Sequence, residues 1–321
     1  MDEARTIPGN AVSLEDAFRY CERLAKTHYE NFTVGSFLIP KALRRHVHAV
    51  YAYCRWVDDL GDEPYEPLVE SLAGANWMHE QVRSDSQPLG PSQRMALLDK
   101  WEEELEACFT GIPTHPAIVA LQETVRAFNI PREPFLKLIE ANRMEQQASR
   151  YSTYEDLLFY CDHSANPVGH LFLYLFGYSD KSMQELSDHT CTALQLTNFW
   201  QDVARDFAMG RIYIPQEDME RFGYCEEDLA AGIINQPFRE MMAFEVERAR
   251  DLFRKGLPLI GTLDGRIKID IALFSLGGMK VLDAIEAQHY DVLTRRPELS
   301  KKAKIGLMIR TALRIGLVGR V

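Results

Sequence analysis

Two clusters of oxygen donors are the residues best suited to do chemistry. The first is Asp58-Asp59-Leu60-Gly61-Asp62-Glu63, which ends an otherwise apolar stretch, VHAVYAYCRWV. Asp58 and Asp62 are four apart, and Asp59 and Asp62 are three apart. At about 100° per residue, the three carboxylates fall near one helix face. A helix C-terminus already carries partial negative charge, so acids gathered there repel one another until a cation binds. The second cluster is Asn198-Phe199-Trp200-Gln201-Asp202-Val203-Ala204-Arg205-Asp206. Asp202 and Asp206 are again four apart, and Asn198 stands one turn earlier on the same stripe. The surrounding CTALQLTNFW is apolar, so this stripe is expected to face the interior. Hard oxygen ligands at this spacing suit Mg²⁺, which keeps several waters and bridges to phosphate oxygens. Two such stripes facing each other would hold a diphosphate between metal ions and stabilise it as it leaves. One acidic stripe alone reads as a solvated helix face. Two, each set in apolar helix, fit metal-assisted ionisation of a prenyl diphosphate in an apolar helical cavity.

The elements that must position these clusters read as helix after helix. Ser13-Leu14-Glu15-Asp16 resembles a capping box ahead of a periodic segment to about Phe32. Pro40 sits where a first-turn proline belongs, before a segment to about Leu60. Pro91 opens a segment that stops at Gly111, and Pro116 and Pro134 open two more. Ser152-Thr153-Tyr154-Glu155 reads as a second capping box, before a segment broken at Asn166-Pro167 and continuing to Phe176. A long segment from about Lys181 to Ala208 contains no Pro or Gly. Others cover roughly 237–256, 266–294 and 300–317. Alternating β-branched runs bounded by hairpin turns are missing, and IYIP at 212–215 is the one short extended candidate. The expectation is a single all-α domain over residues 1–321, with no solenoid repeat.

Composition narrows the classes. The 321 residues carry 36 Lys+Arg against 47 Asp+Glu, a net charge of −11, and 46% are hydrophobic. That supports a packed core and excludes global disorder. An acidic balance excludes a general nucleic-acid binder. Six scattered Cys with no CxxC pair read as reduced thiols rather than a disulfide framework or zinc site. The acidic start, MDEARTIPGN, lacks the apolar stretch of a signal peptide, and no run of 18 apolar residues exists. A cytoplasmic location is expected. No HxxxH or HExxH spacing occurs among the nine His. No GxGxxG occurs either, so no nicotinamide site is evident.

Four stretches together resemble the squalene/phytoene synthase family, the head-to-head prenyl transferases. They are HYENF (28–32), YAYCRWVDDLGDE (51–63), YCDHSANPVG (160–169) and NFWQDVARDFAMGRIYIP (198–215). The likeness runs over roughly residues 20–295. HYENF with SANPVG is most similar to the hopanoid branch, hydroxysqualene synthase. Gly61 departs from the small or apolar helix formers commoner inside the first acidic motif, and Cys54-Arg55-Trp56 reads more like the phytoene or presqualene branches. The resemblance implies an isoprenoid-synthase helical bundle with a central cavity, and conversion of presqualene diphosphate and water to hydroxysqualene and diphosphate. It implies that Asp58, Asp59, Asp62, Asn198, Asp202 and Asp206 bind two or three Mg²⁺ ions with the substrate diphosphate. It places Tyr51 and Arg55 toward the diphosphate or the reacting carbons. Asn198, Gln201 and Arg211 belong with the second helix and the flap after it, and His28 and Phe32 with the site near the N-terminus.

Other readings stay open. Presqualene diphosphate, squalene and phytoene synthases share the same diphosphate triggers. A catalytically inert helical assembly factor is the non-enzyme alternative, and loss of an acidic cluster would mark it. Arg55 could make an intrahelical ion pair with Asp58, or contact diphosphate, whose oxygens a guanidinium matches bidentately. Tyr51 could serve core packing as well as the site. Besides the prenyl diphosphate, transient contact with neighbouring pathway enzymes is an expected partnership. The tail from 301 carries Lys301, Lys302, Lys304, Arg310, Arg314 and Arg320 and no acid. Docking on the acidic body is its first reading, and peripheral membrane-surface contact the second.

Overall fold

The computed structural model describes residues 12–27, 39–62, 89–265 and 267–318. Fourteen helices and no strand occur among the described residues. They fall into two compact units, one of residues 1–147 and 174–177, the other of 148–173 and 178–321.

In the first unit, α1 (Leu14–Thr27), α3 (Pro91–Thr110), α4 (Pro116–Phe128) and α5 (Glu133–Gln147) all pack on α2 (Lys41–Asp62). Ser13 caps α1 by accepting from Asp16 N at 3.1 Å. Pro91 and Pro116 each stand in a first turn, where a missing N–H costs nothing. The core of α2 is aromatic. Trp56 stacks on Trp101 with ring centroids 5.7 Å apart, and Tyr53 donates to Phe135 O at 2.8 Å. His115 presents its edge to both tryptophans and caps α4 by accepting from Ala117 N. Burial pushes the His115 pKa down to about 3, which keeps the ring neutral and able to accept.

The second unit is built round α8 (Lys181–Ala208), against which α6 (Tyr154–Ser164), α11 (Gln236–Gly256), α12 (Pro258–Thr262) and α13 (Ile267–Ala287) pack. Short helices α9 (Gln216–Phe222) and α10 (Glu226–Ala230) follow α8, and α14 (Lys301–Val318) lies on α13. The SANPVG stretch opens α7 (Asn166–Leu175) and docks it on α8. Asn166 accepts from Thr192 Oγ1 at 2.9 Å. A Cβ on Gly169 would stand 2.4 Å from Ser187 Oγ and 2.5 Å from Cys191 Sγ, so only glycine lets the two backbones come this close.

Two sequence expectations need correction. The second capping box starts at Thr153, not Ser152: Thr153 Oγ1 accepts from Asp156 N at 3.1 Å, and Asp156 Oδ2 accepts from Thr153 N at 2.9 Å. The segment expected to reach 294 stops at Ala287. His289 and Tyr290 turn left-handed there, with φ 52° and 60°, and Tyr290 N closes onto Ile285 O. No Gly or Pro announces that turn, and Arg239 holds it by donating to His289 O. IYIP is extended but not a strand. Ile212 N donates to Ser149 O and Gln216 N to Tyr151 O, which ties it to the segment before α6.

Asp270 of α13 is fully buried, and neither carboxyl oxygen has a hydrogen-bond partner. Desolvation raises its pKa from 3.8 to about 7. The folded chain therefore holds a proton that the unfolded chain releases. This site's contribution to stability is full below 3.8 and is lost as pH rises through about 7. Asp270→Asn is expected to melt with wild type at about pH 4 and above it at about pH 8. Thermal melts across that range check this; parallel curves would show that Asp270 does not carry the slope.

Candidate functional site

The first acidic cluster sits where α2 ends. Asp58 is exposed and Asp59 buried, while Asp62 is the last residue of the helix. Arg55 Nη2 lies 2.6 Å from Asp59 Oδ1, so the intrahelical pair expected with Asp58 forms one residue later, at the four-residue spacing. Tyr51, one turn before Arg55, is half-buried, and burial raises its phenol pKa. It stays protonated at neutral pH and can donate a hydrogen bond.

A collar of polar side chains holds this helix end. Arg94 of α3 donates to Leu60 O, and Gln146 of α5 donates to Gly61 O, both at 3.2 Å. These satisfy carbonyls that a helix C-terminus leaves without partners. Asn142 of α5 presses directly on Gly61: a Cβ there would stand 2.0 Å from Asn142 Oδ1. The departure at Gly61 thus has a steric cause, the close approach of α5.

The second cluster lies in the C-terminal third of α8. Phe199, Trp200 and Val203 point into the core, but Asn198 is exposed and Asp202 and Asp206 are half-buried. The expectation that the whole stripe faces the interior is corrected here, because the neighbouring aromatic residues, not the polar ones, fill the core. The helix also kinks at Asp202, whose φ of −108° and ψ of 15° leave the helical region. The kink bends the Asn198–Asp202–Asp206 stripe in its middle.

Arg296 was not legible as a site residue. Its Nε lies 2.5 Å from Asp202 Oδ1 and its Nη2 donates to Asp202 Oδ2 at 2.9 Å. Next to it, Gln201 Nε2 donates to Pro297 O. The segment between α13 and α14 is thereby fastened to the acidic helix across 94 residues of sequence. No local spacing could signal this; only the pair Arg295-Arg296 ahead of Pro297 marks the place.

The flap after α8 is anchored as well. Tyr213 stacks on Phe199 with centroids 3.7 Å apart and planes 7° from parallel, and Tyr151 stacks on Tyr213 at 5.7 Å. Arg150 pairs with Glu226 at 2.8 Å and donates to Gly210 O at 2.7 Å. Arg211, half-buried, lines a small recess with Asp206 and Tyr213. Behind the flap, Arg248 Nη1 lies 2.5 Å from Asp218 Oδ2 and 3.3 Å from Glu245 Oε1. Burial pushes the Glu245 carboxyl well above the usual carboxylate range. His28, Phe32 and Glu63 lie outside the described residues.

Among the described residues, no three His, Cys, Asp or Glu side chains gather as a metal cage would require. Mg²⁺ needs no such cage, because one or two carboxylates suffice when waters and substrate phosphates complete its shell. The donor chemistry fits: hard oxygens end one helix and flank a kink in another, and in each a carboxylate already draws in a guanidinium.

The profile of the squalene/phytoene synthase family matches residues 25–303. The chain belongs to that family. A 15-cis-phytoene synthase of Synechocystis sp. is 33% identical over 92% of this chain and 84% of its own. Phytoene synthase 2 of Solanum lycopersicum is 30% identical over 93% and 91%. Among solved structures, squalene synthase HpnC from Alicyclobacillus acidocaldarius is 44% identical, covering 86% of this chain and 95% of that one, with a TM-score of 0.76. A ligand-bound dehydrosqualene synthase, 23% identical with a TM-score of 0.77, shares the all-helical fold. Both acidic clusters and the HYENF and SANPVG stretches fall within the matched residues of the squalene/phytoene synthase family.

Proposed function

We propose that this chain is a Mg²⁺-dependent hydroxysqualene synthase, converting presqualene diphosphate and water to hydroxysqualene and diphosphate. The observation that carries the squalene side of this reading is the 44% identity to the squalene synthase HpnC structure over 95% of its length, against 33% for the Synechocystis phytoene synthase. The HYENF and SANPVG stretches support the same branch.

Asp58, Asp59, Asp62, Asn198, Asp202 and Asp206 would hold the metal. Bound Mg²⁺ supplies positive charge that stabilises diphosphate as it departs. Arg55 would offer its guanidinium to phosphate oxygens in exchange for Asp59, and Arg211, on the flap, carries a second guanidinium suited to the same oxygens. Tyr51, kept protonated by burial, donates a hydrogen bond and does not remove a proton. Gln201, tied to Pro297 O, fixes the segment beside Asp202. The cyclopropylcarbinyl cation left behind is stabilised by aromatic faces, at roughly 0.5–2 kcal/mol each. Water adds to the cation as the alcohol, and its surplus proton goes to the released diphosphate.

Phytoene synthases among the relatives support a second reading, condensation of two prenyl diphosphates. Product analysis by mass spectrometry separates the two. With presqualene diphosphate and Mg²⁺ but no NADPH, hydroxysqualene is the expected main product. Accumulation of presqualene diphosphate from farnesyl diphosphate, with none consumed when supplied, would replace this reading by the presqualene synthase. A product formed only with NADPH would replace it by the full squalene synthase.

A further inference from the structure

The C-terminal helix α14 packs on α13 through a narrow inner face. Thr311 is buried, and Leu307, half-buried, comes within 4.0 Å of where a Cβ on Gly277 would stand. The opposite side is apolar and open. Ile305, Met308, Ile309 and Leu313 are 55%, 37%, 56% and 57% exposed. At about 100° per residue these four cover an arc of roughly 140°, and Leu307 and Thr311 fall on the far side of the helix.

Charge completes the pattern. Lys304 and Arg310, both exposed, fall on either border of the apolar arc, and Lys301 and Lys302 stand at its N-terminal end. Residues 301–321 contain six basic residues and no acid, although the chain as a whole carries −11. An outward apolar stripe edged by long basic side chains is what a helix lying in a lipid headgroup layer presents. The apolar residues enter the acyl boundary, and the charged heads snorkel to phosphates. A protein partner would have to offer an apolar groove with acids along both rims. A bilayer with anionic lipids offers both features without further shaping. No helix among the described residues is long and apolar enough to cross a membrane, so the contact would be in the surface plane.

We propose that the outward face of α14 is a membrane-surface contact that binds anionic lipid bilayers, with Ile305, Met308, Ile309 and Leu313 inserted and Lys301, Lys302, Lys304 and Arg310 on the headgroups. This assignment is independent of the reaction proposed above. Flotation of the full-length protein with phosphatidylcholine vesicles, with and without about 30% phosphatidylserine, tests it. Binding is expected only with phosphatidylserine. Lys304→Gln with Arg310→Gln should weaken it about 25-fold, near fivefold for each charge, and added salt should mimic that loss. Ile305→Ser with Ile309→Ser should weaken it at least about tenfold more, since buried apolar area is lost. Melting temperatures should stay within about a degree of wild type, because exposed side chains contribute little to the fold. The proposal is overturned if wild type binds neutral and anionic vesicles alike. It is equally overturned if the isoleucine variant binds unchanged or melts several degrees lower. A concentration-dependent dimer in sedimentation that the isoleucine variant dissolves would overturn it too, by making a second copy the occupant.

Discussion

Asp202→Ala is expected to lower turnover by about a thousandfold while far-ultraviolet circular dichroism stays at the wild-type level. Metal-borne charge stabilisation is worth several kcal/mol, and each 1.36 kcal/mol is a factor of about ten in rate. The helix tolerates the change because Asp202 already sits outside helical geometry. The substitution also releases Arg296, which loses both of its hydrogen bonds to that carboxylate. Arg296→Gln removes the same ion pair and leaves the carboxylate, so it separates a structural loss from a ligand loss. If Asp202 acts through metal, Arg296→Gln retains far more activity than Asp202→Ala. Asp58→Ala should reproduce the thousandfold loss, since Asp58 is exposed and its removal leaves the core intact. A chelator should abolish turnover reversibly in the wild type. Near wild-type turnover of Asp202→Ala at limiting Mg²⁺ would end the metal assignment for this carboxylate.

Gly61→Ala should destabilise the chain and raise its Mg²⁺ requirement, against the usual preference for alanine in helices. Alanine gains up to about 1 kcal/mol over glycine inside a helix, and less in a last turn. The added Cβ would stand 2.0 Å from Asn142 Oδ1 and 3.0 Å from Asn142 Cγ. Asn142 is buried and donates to Leu138 O at 3.2 Å, so turning it aside breaks that bond. Overpacking of this kind costs about 1–3 kcal/mol, which outweighs the propensity gain. A chain of this size would lose roughly 2–4 °C in melting temperature per kcal/mol. Asn142→Ala in the same chain should restore most of the loss, because it removes the atoms in conflict. Thermal melts of the two single variants and the double variant measure that coupling. Additive effects would mean that Asn142 does not shape the end of α2.

Much of the helical frame was readable because its signals are local. Pro91 and Pro116 open helices where a first-turn proline has no N–H to lose, and Ser13 caps α1 through the next turn. The misreadings came where a distant part of the chain decided. The end of α13 at Ala287 depends on a left-handed pair at His289 and Tyr290 that Arg239 holds from another helix. Thr153 rather than Ser152 caps α6 because Asp156 returns the bond to its backbone N–H.

The same division runs through the site. Helical periodicity by itself determined that Asp58, Asp59 and Asp62 end one helix, that Asn198, Asp202 and Asp206 share another, and that hard oxygens at such spacing suit a divalent cation. It also determined that residues 301–318 form a basic, apolar helix, since charge and period are properties of the residues themselves. Tertiary structure alone decided the rest. Arg296 reaches Asp202 across 94 residues, and Gly61 is required by a side chain 81 positions later, at Asn142. Which side of α14 stays open depends on where α13 lies against it. Periodicity is set within a turn or two of the chain. Partners, close approaches and exposed faces are set by which helices pack together, and the residues in between carry no record of that.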